Sequence, residues 1–167
     1  VLDEVGVDAA RFFFVMMNAD SPMTFDLTLA KEQTNENPVF YVQYGHARIA
    51  SILARAPAEL VARAERGEAL DRLDQPAEIA LARRLSEFPA VVRAVAEHRA
   101  PSRLARYAQT VAADFSQFYH ASRVLTDDAD LSTARLALAL AAKRVLATTL
   151  RLLGVDAPEK MERLDAE

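Results

Sequence analysis

Leu104, Ala108, Val111, Phe115 and Phe118 recur three or four residues apart through "APSRLARYAQTVAADFSQFYHASRVL" (100–125). That spacing lays one apolar stripe along an amphipathic α-helix, which is stable only when other elements cover it. A second long helix is expected from about Thr133 to Leu153. It stacks Leu136, Leu140, Leu146 and Leu150 among many alanines, whose small side chains let helices approach closely. No strand pattern of any length occurs elsewhere. Four glycines and no tryptophan argue against a turn-rich β-sandwich, and abundant Ala, Leu, Arg and Glu favour helix. The expected fold class is all-α, a helical bundle.

Shorter signals divide the rest of the chain. Asp8 is the expected N-cap of a helix through "AARFFFVMM", and Asp26 caps "LTLAKEQT". "NADSPMT" (18–24) reads as a loop. Asn37 and Pro38 supply a cap and a first-turn proline for the next helix. Pro57 and "ERGEALDRLDQP" break the pattern, with Gly67 as a stop. A new helix starts near Pro76 and bends at Pro89. "DDADLS" is a capping loop, so Asp127, Asp128 and Asp130 are expected to start a helix rather than bind a cation. Gly154 is a C′ terminator.

With 167 residues, 51% of them apolar, the chain fits one domain, or one domain plus a piece of another. It contains no cysteine, which excludes disulfides and thiolate zinc sites. Three scattered histidines (46, 98 and 120) are poor material for a metal site, and no metal ligands are expected. No apolar run is long enough to span a membrane. The opening "VLDEVGVDAARFFFV" lacks an initiator methionine and reads as the start of a C-terminal piece.

The net charge is −4, which argues against nucleic acid as a partner, but the charge is unevenly spread. Residues 1–40 carry a net −5, whereas residues 83–123, with seven arginines against three acids, carry +4. Arg83, Arg84, Arg103, Arg106 and Arg123 are the candidates for phosphate contacts.

The stretch "NPVFYVQYGHARI" (37–49) holds two patterns on one helix. At 100° per residue, Val42, Ile49, Leu53 and Ala56 form a core stripe with His46 beside it. Tyr41, Tyr44 and Arg48 fall on a separate stripe about 60° wide. Periodicity alone leaves that second stripe open to two uses, lining a groove against a neighbouring helix or stacking unpaired bases.

"NPVFYVQYGHARI" resembles the helix that begins the anticodon-binding domain of bacterial arginyl-tRNA synthetases. "EVGVDAARFFFV…ADSPMTFDLTLAKEQTNENP" resembles the segment leading to it. "SRLARYAQTVAADFSQFYHASRVL" and "LLGVDAPEKM" resemble two later stretches, in the same order. The tetrapeptide D-A-L-R that names the domain is absent, although "RLAL" stands at 135–138, and Met17 stands where the family has a basic residue. The HIGH and KMSKS signatures of class I synthetases do not occur, so no catalytic residue is expected.

The resemblance implies that residues 1–36 end the catalytic region as stem helices and that 37–167 form a DALR-type anticodon-binding domain. It implies a cytoplasmic, monomeric enzyme that joins arginine to tRNA, with ATP, magnesium and arginine handled by the remainder of the synthetase chain. It also implies that Tyr41, Tyr44, Arg48, Tyr119 and Met161 contact the anticodon loop. The middle base, cytosine in arginine tRNAs, would sit against Tyr44 and Arg48, and Tyr41 would support an adjacent nucleotide. A helical protein-interaction module, or the equivalent domain of another class I synthetase, are the rival readings.

Overall fold

The computed structural model describes residues 2–17 and 25–161, and all regular structure among them is helical. The first three helices are α1 (Leu2–Val5), α2 (Val7–Met16) and α3 (Leu27–Lys31). Then follow α4 (Pro38–Arg55), α5 (Ala58–Glu65), a 3₁₀ turn at Leu70–Arg72, α6 (Pro76–Ser86), α7 (Phe88–His98), α8 (Ser102–Ala121) and α9 (Ala129–Leu152). The "NADSPMT" loop lies outside the described residues.

The core forms where α4, α8 and α9 pack on one another. Val42 and Ile49 from α4, Val111, Phe115 and Phe118 from α8, and Leu136, Leu146 and Leu150 from α9 are its buried centre. Each set repeats at helical spacing, so burying one face of each helix satisfies all three stripes together. α5 and α6 cover the outer side of α9, α7 lies on α8, and α2 bridges α4 and α8. Leu140, Leu53 and Ala56 lie at the margin and are only partly buried.

Local chemistry sets most helix boundaries. The Asn37 side chain accepts the N–H groups of Val39 and Phe40, with Pro38 in the first turn of α4. Asp26 accepts those of Thr28 and Leu29. At the end of α9, Gly154 adopts φ +70°. Val155 N–H bonds the Leu150 carbonyl and Gly154 N–H the Arg151 carbonyl. This pair of bonds is a Schellman motif, and only a residue at ease with positive φ closes it without strain.

Three expectations are corrected. Gly6, not Asp8, is the N-cap of α2. The Asp8 carboxylate instead accepts bonds from Gln43 and from the backbone of Asp156. α9 starts at Ala129 rather than near Thr133, because Asp128 caps it through Asp130 and Leu131 N–H. The break after Pro57 contains the helix α5, which ends before Gly67. Pro76 and Pro89 stand in the first turns of α6 and α7, as expected.

Candidate functional site

Arg48 occupies the centre of the polar-aromatic stripe. Phe40 and Tyr44 stack on each other one turn apart, with ring centroids at 5.8 Å. One turn further on, the Arg48 guanidinium carbon lies 4.8 Å from the Tyr44 ring centroid. Its Nη2 donates to the Tyr44 hydroxyl at 3.1 Å. From α8, Tyr119 brings a second ring to within 5.1 Å of the same carbon. Tyr119 is itself backed by the buried Phe115, at 6.1 Å between centroids. A flexible cation is thus set against two aromatic rings at once.

These groups open onto a cleft of about 760 Å³, lined by Tyr44, Arg48, Tyr119 and Met161 together with Arg55, Ile52, Arg123 and His120. Among the described residues, three guanidinium groups line it and no carboxylate does. Arg55 and Arg123 line it without a side-chain ion pair among the described residues. Tyr41 does not line this cleft. It lines an adjoining cavity of about 290 Å³ with Asn35, Ser116 and His120, and Tyr44 and Arg48 form part of both. His120 donates its Nδ1 hydrogen to the Ser116 carbonyl at 2.6 Å, because a carbonyl can only accept.

Of the other arginines singled out in the sequence, Arg84 is occupied by Asp114 and Glu87 at 3.0 and 2.7 Å. It serves the α6–α8 contact. Arg83, Arg103 and Arg106 are exposed but line neither cavity. Arg55 was missing from the sequence candidates, although it falls on the same angular stripe of α4 as Tyr44 and Arg48.

Asp128 and Asp130, at the start of α9, are committed to structure. Asp128 also pairs with Arg72 at 2.7 Å and Asp130 with Arg63 at 2.6 Å. Among the described residues no group of His, Cys, Asp and Glu is placed to hold a metal ion. No helix among them is long and apolar enough to cross a membrane.

A family model described as the DALR anticodon binding domain matches residues 42–161. The chain belongs to that family. It is 51% identical over 162 residues to the arginine–tRNA ligase of Syntrophotalea carbinolica, covering 96% of this chain and 29% of that protein. It is 50% identical over 166 residues to the enzyme of the same description from Heliobacterium modesticaldum, covering 96% and 30%. Its structure is similar to that of the Thermus thermophilus arginyl-tRNA synthetase, with a TM-score of 0.78, 34% identity, and coverage of 95% of this chain and 27% of that one. The chain therefore spans less than a third of the length of these relatives. The DALR match encloses Tyr44, Arg48, Tyr119 and Met161, and Tyr41 stands immediately before it.

Proposed function

We propose that the chain is the anticodon-binding C-terminal part of an arginine–tRNA ligase, and that the cleft around Arg48 receives the middle base of the anticodon. In this reading residues 1–36 are the stem that ends the catalytic region, and 37–167 form the anticodon-binding domain. The remainder of the synthetase, a cytoplasmic monomer, joins arginine to tRNA with ATP and magnesium. This chain contributes recognition rather than catalysis.

The observation that carries the reading is Arg48 set against the rings of both Tyr44 and Tyr119 in a cleft that no carboxylate lines among the described residues. Unpaired loop bases are recognised by stacking on aromatic or guanidinium planes and by bonds to their edges. Each stacked base contributes ~1–3 kcal/mol. Cytosine presents two acceptors, O2 and N3, beside an amino donor. A guanidinium fork supplies donors alone, and a tyrosine hydroxyl can accept from the amino group. Uracil, with a donor at N3, mismatches that arrangement. Met161 adds a polarizable wall suited to a ring face. Arg55 and Arg123 fit flanking phosphates, and Tyr41, in the adjoining cavity, fits a neighbouring nucleotide.

Titration of the protein with an arginine-accepting tRNA, and with the same tRNA changed only at the middle anticodon base, tests this reading. Tighter binding of the cytosine form is expected. Equal affinities at a salt concentration that screens phosphate contacts would overturn it. A helical protein-interaction module would show no tRNA binding that weakens with salt.

A further inference from the structure

Beyond Gly154 the chain runs to Met161 without regular structure, yet side chains from α2, α4 and α9 hold it at successive points. Arg11 donates to the Gly154 carbonyl. Asp8 and Gln43 bond the Asp156 N–H and carbonyl at 3.2 and 2.9 Å, and also each other at 2.9 Å. Lys143 pairs with Glu159 at 2.7 Å. The inner fastening is His46, 2% exposed, whose Nδ1 lies 2.9 Å from the Pro158 carbonyl. A carbonyl only accepts, so Nδ1 carries the hydrogen, and the bond fixes both the tautomer and the ring plane.

His46 is two residues from Tyr44 and two from Arg48, but it faces away from the cleft and does not line it. Met161, three residues beyond Pro158, does. We infer that His46 is a positioning residue for base recognition: by holding the Pro158 carbonyl it fixes this strap so that Met161 forms a wall of the cleft. The inference rests on the reading of the cleft given above. A histidine serving only to fill the core would be indifferent to a donor at this point, whereas a positioning residue depends on it.

Two measurements on the full chain separate these roles. With labelled methionine methyl groups, the Met161 signal, assigned by its loss in Met161→Leu, is expected to move toward the exposed position in His46→Ala. In His46→Asn, whose amide offers a donor near the place of Nδ1, it should return. Discrimination between the two tRNAs should fall by about twofold to tenfold in Met161→Ala, the range a sulfur–ring contact supplies. A similar fall is expected in His46→Ala, with little more in the double variant, because the two act as one unit.

An unmoved Met161 signal in His46→Ala, or losses that add in the double variant, overturns the inference. If His46→Ala does not fold, His46→Asn against His46→Leu decides by the same signal. If the unaltered protein discriminates between neither tRNA, the reading of the cleft falls, and the methyl signal still decides whether His46 places Met161.

Discussion

Glu78 of α6 and Arg135 of α9 form an ion pair inside the bundle, with Arg135 Nε donating to Glu78 Oε1 at 2.7 Å. Glu78 is fully buried and Arg135 is 8% exposed. The second Glu78 oxygen accepts the N–H groups of Asp74 and Gln75, both at 3.0 Å, and so starts α6. Arg135 Nη1 donates to the carbonyl of Arg123, at the rim of the cleft. Removing one partner strands the other charge. Glu78→Ala should therefore cost about 3–5 kcal/mol in urea unfolding followed by circular dichroism, more than the double variant with Arg135→Met. A loss below about 1 kcal/mol would show that water reaches the pair.

Arg48→Lys tests whether shape or charge matters in the cleft. Lysine keeps the charge but has no planar fork to lie between two rings. Discrimination between the cytosine tRNA and its middle-base variant should fall about tenfold, equivalent to ~1.4 kcal/mol, while the helix signal is unchanged. Full discrimination in the lysine variant would reduce Arg48 to a point charge.

Arg55→Gln and Arg123→Gln should behave in the opposite way. Each removes a cleft-lining cation with no ion-pair partner among the described residues, so affinity should fall equally for both tRNAs. The slope of log affinity against log salt should flatten by about 0.7 per arginine, as for single-stranded contacts. Arg84→Gln should leave that slope alone, because Asp114 and Glu87 already occupy its guanidinium.

Gly154→Ala should destabilise the bundle by about 1–2 kcal/mol from the left-handed backbone alone. A Cβ there would also stand 3.1 Å from Arg11 Cδ and Nη1, pushing aside the side chain that caps the Gly154 carbonyl. Thermal unfolding measures the cost, and a neutral substitution would show that the turn can rearrange.

Tyr107 sets an alkaline limit. Burial, aided by the nearby Glu87 carboxylate, pushes its hydroxyl up to about 12, and the hydroxyl donates to the Arg84 carbonyl at 2.8 Å. The unfolded chain releases this proton near pH 10 while the folded chain retains it. The contribution is therefore intact below pH 10 and is lost as pH rises toward 12. Tyrosinate absorbance should show a late-ionising component that is absent in Tyr107→Phe. Identical titration of the unaltered protein and Tyr107→Phe above about pH 10 would contradict this environment.

The long helices were legible because their information is local. The stripes of α4 and α8, the Asn37 and Asp26 caps and the Gly154 stop all depend on neighbours within a turn or two. Asp8 misled because a carboxylate near a helix start has local and distant uses, and its partner at Asp156 is 148 residues away. Arg84 misled for a similar reason, since nothing in its own helix announces Asp114 on α8. The angular separation of Tyr44 and Arg48 from the core was readable. Their convergence with Tyr119 and Met161 needed the crossing of α4 with α8 and the fastening of the strap. Arg55 shares the readable stripe of α4, but only the structure shows that it lines the cleft with Arg48.

The bond between His46 and Pro158 joins residues 112 positions apart, and it bears on the order in which the molecule is made. A ribosome releases α4 with Tyr44, Arg48 and Arg55 early, and α8 with Tyr119 later. The strap emerges after both. While the nascent chain is still growing, the cleft therefore lacks the wall that Met161 supplies, even if the helices beneath it have already packed. A product truncated before the strap would keep Arg48, Arg55 and Arg123 but lack the wall that Met161 adds to the cleft.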